Sequence, residues 1–393
     1  MKVLFFFTQI YHYGGAEVLA RQAVSELLSR GYTVDVVTMY SGNIKNTRER
    51  EQHFLNQGVN KVMHLGLDIN PSILSVLGSS LKLRKILKKE NYNFIEMSTV
   101  TPSIIGLLST IFTRQNVLIG IHHVYKKDRE KGLKYQLFRM LLSIKLNKKV
   151  YYISNYVKSA SKQYFYFVKY WNSRVIYNSI SDSFFKDSNE FDGPTKIDYH
   201  MLPSDKTLLL YCGRLAEYKG IDIALYSSAP FLKAGKCHLV FLGYEDHNIE
   251  GTTSVLREMK SFISRHSLDD SVSFLGQVDS VDAVMSQTNI LLHPTKLEGF
   301  GLVLVEAMAS NNMIITTNAE AIPEILQGTD SKMVDLDLDK EEMINEFSIE
   351  LERLFNIKDC VRQDSLRKGR ERADNFTEEN RINKLIEFVK QDK

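Results

Sequence analysis

The chain has 393 residues, 44% hydrophobic and 25% charged, with a net charge of +3, a globular composition with core material for two domains. Three cysteines (Cys212, Cys237, Cys360) lack metal-ligand spacing and suit a reducing compartment better than a disulfide framework. No apolar run reaches the roughly 18–20 residues that span a bilayer, and the opening MKVLFFFTQI runs into His12, Glu17 and Arg21 without a cleavage site, so it reads as a buried first strand rather than a signal peptide.

KVLFFFT is the first strand, and Gly14-Gly15 turns the chain. Ala16, Leu19, Ala20, Ala23, Val24, Leu27 and Leu28 then recur at helical spacing until Gly31 ends the helix, and YTVDVVTMY returns as a strand. Strand, glycine turn, helix and strand make a βαβ unit, which builds parallel sheet. NFIEM, NVLIGIH, KVYYIS and RVIYN are further strands of this half. Residues 183–206, rich in Asp, Ser, Asn and Gly with two prolines, read as a linker. A second series follows: TLLLYCG, CHLVFLG, SVSFLG, NILLHPT and MIITTN, separated by helix-length segments. Two successive α/β units are expected. FTEENRINKLIEFVKQ closes the chain as a helix, with Thr377 at the N-cap and Asn380 at the capping-box position.

The stretch LEGFGLVLVEAMAS places Glu298 before Gly299-Phe300-Gly301 and Glu306 in the helix beyond. Ligands of open α/β sheets bind at the carboxyl ends of strands. The amides of Phe300, Gly301, Leu302 and Val303, unpaired at a helix start, favour an anion such as a diphosphate, and the glycines let backbone approach it. Carboxylates repel that anion, so each glutamate suits hydroxyls at either end, a sugar on one side and a ribose on the other. Spacing also fits a plain helix-start charge and a solvated helix residue, and leaves both readings open. In YCGRLAEYKG, Gly213 permits a tight strand exit, and Arg214 and Lys219 stand on the loop as candidate phosphate ligands.

Charge is uneven. Residues 1–187 hold 27 Lys+Arg and 12 Asp+Glu, and the remainder 23 and 35. KLRKILKK, Tyr125–Lys149 and Tyr156–Arg174 mix cations and aromatics on expected helices, a pattern suited to an anionic membrane surface; a solvated basic face over core aromatics is the competing reading. No nucleic-acid motif is visible, and neither G-x-x-x-x-G-K-[ST], H-E-x-x-H nor G-x-S-x-G occurs. The acidic DLDLDK, Asp335–Lys340, reads as a solvated loop rather than a metal site.

The order GGAE, IHHVY, VIYNSIS, GRLAEYKG, FLG, HPTKLEGFGLVLVEAM and AIPEIL resembles the family 4 retaining glycosyltransferases over nearly the whole chain. The E-x7-E element is the most specific of these motifs. The resemblance implies the GT-B architecture: two Rossmann-like domains facing across a cleft, with a last helix crossing back to the first. The corresponding boundaries are 1–185 for an acceptor-binding domain, 186–370 for a nucleotide-sugar domain and 371–393 for the returning helix. It further implies that Arg214 and Lys219 bind the donor diphosphate, Glu298 the donor sugar, Glu306 the ribose, and that Gly15 approaches the donor. His122 matches the active-site histidine, although a histidine after a buried strand is often structural. His123 stands where the family often has aspartate, and Ser179 and Ala321 replace common glycines.

The expected activity is retaining transfer of a hexosyl or N-acetylhexosaminyl group from a nucleotide-diphosphate donor, UDP-sugar favoured by family frequency, to a glycan acceptor. That acceptor is expected to be lipid-linked, in cell-surface polysaccharide synthesis, with the protein peripheral on the inner face of the cytoplasmic membrane. No cofactor or metal is expected. Two other readings are a nucleotide-sugar 2-epimerase, for which no acid/base set is found, and a silent glycan-binding partner, which retention of His122, Arg214, Lys219, Glu298 and Glu306 opposes.

Overall fold

The computed structural model describes residues 1–8, 15–40, 47–68, 71–125, 130–169, 172–187, 190–191, 202–203, 205–245 and 252–391, with residues 15–17 and 47–50 described by backbone alone. The chain divides into two compact units, 1–179 with 378–393, and 180–377.

The first unit runs β1 (Lys2–Phe7), α1 (Gly15–Ser29), β2 (Thr33–Tyr40), α2 (Thr47–Asn56), β3 (Lys61–Leu67), α3 (Ile73–Lys89), β4 (Phe94–Met97), α4 (Val100–Thr110), β5 (Val117–Ile121), α5 (Leu133–Ile144), β6 (Lys148–Tyr152), α6 (Asn155–Ala160) and β7 (Ser173–Val175). Its strands form a parallel sheet in the order β3-β2-β1-β4-β5-β6-β7. KVLFFF is buried from Val3 to Phe7 because β1 lies inside the sheet with helices on both faces. β3 escaped the sequence reading: the glycine and histidine in KVMHLGL break the apolar run, and the strand sits at the sheet edge.

Tyr156–Arg174 is not the helix expected. α6 stops at Ala160, where Ser161 uses its side chain to accept the Tyr125 N–H at 2.9 Å. Tyr164 and Phe165 then turn inward to pack on Tyr125, with ring centroids 5.3 and 5.1 Å away. These aromatics are core, while Tyr166 stays exposed.

The second unit runs β8 (Thr207–Cys212), α7 (Ile221–Lys233), β9 (Cys237–Leu242), α8 (Thr252–Arg265), β10 (Val272–Gly276), α9 (Val281–Met285), β11 (Ile290–His293), α10 (Leu302–Ala309), β12 (Met313–Thr317), α11 (Ile322–Ile325), β13 (Lys332–Val334), α12 (Lys340–Phe355) and α13 (Asp359–Ala373). Its parallel sheet has the order β10-β9-β8-β11-β12-β13, and Leu209, Leu239, Phe241, Leu292, Ile315 and Phe347 lie in its core. Both sheets reverse direction beside their first strand, at β1/β4 and β8/β11, the switch points where such folds bind ligands.

The expected linker is partly built into this unit. Residues 182–185 form a short 3-10 helix whose Phe184 carbonyl accepts from Ser310 Oγ at 3.0 Å; residues 192–201 lie outside the described residues. In DLDLDK, Asp339 caps α12 through a reciprocal box with Glu342. The last helix, α14 (Glu378–Lys390), belongs to the first unit: it packs on α1, and Arg381 Nη1 donates to the Leu19 carbonyl at 3.0 Å.

Candidate active site

The residues expected to form the cradle in the second unit gather at the carboxyl ends of β8 and β11, beside the switch point. β8 and β9 leave the sheet in close contact. A Cβ on Gly243 would stand 1.7 Å from the Gly213 carbonyl oxygen, so this exit demands glycine. Beyond it Arg214 is exposed, its carbonyl held by Tyr211 Oη at 2.8 Å. Lys219 closes a one-turn 3-10 helix, Glu217–Lys219.

Glu298 is the centre of the loop after β11. Its Oε2 meets Lys219 Nζ at 2.8 Å and His293 Nε2 at 3.3 Å, and its Oε1 accepts the Gly301 N–H at 3.1 Å. Its own N–H is held by Glu320 Oε2 at 2.8 Å, and its carbonyl accepts the Ala321 N–H at 3.2 Å. Burial pushes this carboxyl up, but the Lys219 charge and the His293 contact outweigh it and hold Glu298 well below the usual carboxylate range. Burial keeps His293 low against the pull of Glu298, so the imidazole is neutral.

The Gly301 amide departs from the expected anion cradle. Gly301 adopts φ +87°, ψ 59°, which aims its N–H back at Glu298, so that amide is not free for a ligand. The N–H groups of Leu302 and Val303 have no acceptor among the described residues and are left unpaired at the start of α10. Phe300 is buried against Phe376, ring centroids 5.7 Å apart, so its side chain anchors the turn. Gly299 lies between these anchors in the bend before α10.

Glu306 lies one turn into α10, half-buried, with no hydrogen bond to its carboxyl among the described residues. Burial, with repulsion from Asp282 added, raises it to about 7. Two carboxylates on one loop and helix are thus set apart by environment: Glu298 is ionised and tied down, while Glu306 is free to accept or donate at neutral pH. Ala321, where the resemblance leads one to expect a glycine, sits at φ −86°, ψ −7° and is unstrained.

In the first unit His122 directly follows β5, half-buried, with Nε2 3.4 Å from Tyr151 Oη. Burial, then the nearby charges of Arg381 and His123, lower it to about 3, so it is neutral at physiological pH. His123 stacks on Tyr125 at 4.1 Å. Gly15 opens α1, and the rest of the GGAE loop lies outside the described residues or is described by backbone alone.

Sequence reasoning passed over His293, Glu320, Glu96 and Tyr151. His293 ended a strand already identified, in HPT, and its position beside Glu298 was a usable signal. Glu320 carried none, because its role depends on a left-handed backbone, φ +47°, that only the folded loop shows.

Residues 13–184 match the family described as Glycosyltransferase Family 4, and residues 194–336 the one described as Glycosyl transferases group 1. The chain belongs to the glycosyltransferases of this family 4 type and is a transferase. It is 23% identical to the O-antigen biosynthesis glycosyltransferase WclY of Escherichia coli over 294 residues, 72% of this chain and 75% of that one. A glycosyltransferase from Rickettsia africae shares the fold with a TM-score of 0.78 at 17% identity, over 99% of this chain and 98% of that one. HepE of Anabaena, solved in complex with UDP, does so with a TM-score of 0.75 at 18% identity, over 99% of each chain. The expected α/β class, two Rossmann-like domains of GT-B type, is borne out.

Proposed function

We propose that this glycosyltransferase uses a UDP-sugar donor, retains anomeric configuration and extends a lipid-linked glycan in cell-surface polysaccharide synthesis. The observation that carries the donor reading is the Glu298–Lys219–Gly301 assembly at the start of α10, at a switch point, with the Glu306 carboxyl one turn on lacking a hydrogen bond among the described residues. Lys219 keeps a donor beyond its bond to Glu298. With Arg214 and the Leu302 and Val303 amides it stabilises a diphosphate, and Glu306 accepts from the ribose. Glu298 retains lone pairs for a sugar hydroxyl, and His122 acts at the reacting sugar. HepE, of the same fold, binds UDP, which supports the choice of base.

In the reaction the bond from the anomeric carbon to the diphosphate oxygen breaks, and negative charge grows on the departing UDP. Fixed cations and amides are strongest where that charge develops. The acceptor hydroxyl adds to the same face, and its proton passes to the leaving phosphate oxygen.

WclY, an O-antigen biosynthesis enzyme, supports the polysaccharide reading. The membrane reading is supported by α3 and α5, both packed on α4. α3 exposes Ile73, Leu77 and Leu81 at one-turn intervals with Leu74 beside them, followed by Lys82, Lys85, Lys88 and Lys89; α5 exposes Leu133, Met140 and Ile144. Unpartnered apolar side chains beside lysines fit an anionic bilayer, at about 1 kcal/mol per cation near the surface.

Calorimetric titration with UDP, GDP and ADP, repeated on Arg214→Ala and Lys219→Ala, tests the donor site. UDP alone binds, and each variant loses about 1–3 kcal/mol; unchanged affinity in both variants refutes the cradle. Flotation with anionic liposomes at two salt concentrations tests the surface, and failure to float at low salt removes it.

A further inference from the structure

The polar group behind His122 is assembled from three adjacent strands. Glu96 is a buried carboxylate in β4, and Tyr151 is fully buried in β6. Between them runs β5, whose Gly120 is in register with Tyr151. A Cβ at residue 120 would lie 2.5 Å from Tyr151 Oη and 2.8 Å from His122 Nε2. Glycine in this buried strand therefore vacates the space through which the tyrosine crosses β5 to reach β4.

Proton bookkeeping decides what Tyr151 does there. Its hydroxyl donates to Glu96 Oε1 at 2.8 Å, and Ser98 Oγ donates to the same oxygen. Each hydroxyl has one proton, so the Tyr151 oxygen is left as an acceptor. It faces Ser98 Oγ at 3.2 Å, whose proton already goes to Glu96, and His122 Nε2 at 3.4 Å, the one of the two that can offer a proton, with the His122 and Tyr151 rings edge-on at 80°. Burial raises the Glu96 carboxyl above its usual range, against the Ser98 and Tyr151 hydrogen bonds and the charge of Arg381, and Oε1 accepts both bonds whether or not Oε2 carries a proton. His122 Nδ1 has no hydrogen bond among the described residues.

We propose that Tyr151 is a positioning residue for His122: held by Glu96, it accepts the Nε2–H, fixing the neutral imidazole as that tautomer and leaving Nδ1 to accept from a substrate hydroxyl. Its significance for transfer rests on the role given to His122 above. The histidine is then a hydrogen-bond acceptor that orients a sugar, not a general acid.

Long-range proton–nitrogen spectra of the full chain labelled with [15N]histidine test this directly. In the unaltered protein the two His122 nitrogens resonate far apart, with Nε2 protonated. In Tyr151→Phe, which keeps the ring and removes the acceptor, they converge toward an average of tautomers. In the transfer assay kcat of Tyr151→Phe falls about 5- to 10-fold, the worth of one hydrogen bond, with donor KM unchanged. If Tyr151→Phe does not fold, Glu96→Gln, which weakens the hold on the tyrosine proton, is read the same way. Nitrogens that remain far apart in the variant, or that are already averaged in the unaltered protein, overturn the proposal. Transfer that survives His122→Ala instead overturns the role of His122 and leaves the tautomer result standing.

Discussion

Glu306→Gln separates the cost of this carboxylate from its use. Its pKa is raised from 4.5 to about 7 by burial and Asp282. A carboxyl raised in the folded state binds more protons than in the unfolded chain, so it costs stability as pH climbs from 4.5 through 7, and the full cost is present above 7. The shift corresponds to at most about 3 kcal/mol, and partial exposure brings this nearer 1–2 kcal/mol. Glutamine, which is never charged, removes that cost. Thermal unfolding at pH 5 and pH 8 is the assay: the variant gains about 1–2 kcal/mol over the unaltered protein at pH 8 and little at pH 5. Binding moves the other way. If the ionised carboxylate accepts from the ribose, UDP-glucose affinity falls about tenfold from pH 8 to pH 6. The diphosphate of UDP-glucose does not titrate there, so the slope belongs to the protein, and Glu306→Gln abolishes it. An equal stability gain at both pH values refutes the buried, raised carboxyl.

Three further outcomes follow from the geometry. Glu298→Ala strips Lys219, His293 and the Gly301 amide of their common partner and lowers stability by about 3 kcal/mol, read by denaturant unfolding, with sugar transfer lost. Gly120→Ala drives a methyl into Tyr151 and His122 and costs about 1–3 kcal/mol in the same measurement. Leu74→Asp with Leu133→Asp reduces flotation with anionic vesicles while leaving calorimetric UDP binding unchanged.

Most strands were legible because a parallel strand covered on both faces is a nearly unbroken apolar run, as in KVLFFF and CHLVFL. β3 and β13 were missed because edge strands carry exposed and polar residues that interrupt such runs. Tyr156–Arg174 misled for a related reason: cations and aromatics recur at helical spacing, but Tyr125 offers the aromatics a packing partner far away in sequence. Packing overrode local pattern there.

Of the candidate site, the chain by itself supplied candidate residues, and their expected roles came from the family resemblance. Arg214, Lys219, Glu298 and Glu306 are residue types and spacings that local order can express, because a glycine turn followed by a helix start lies within one short stretch. What those groups do to one another was decided only by the fold. That Lys219 and Glu298 pair at 2.8 Å, and that one glutamate is held ionised while the other rises to about 7, depends on burial and on partners tens of residues away. Glu96, Gly120 and Tyr151 were invisible as a group because three strands must lie in register before a missing side chain on one lets the next reach across. Spacing along a chain records local geometry, whereas electrostatics and proton direction are properties of neighbours that only the folded chain brings together.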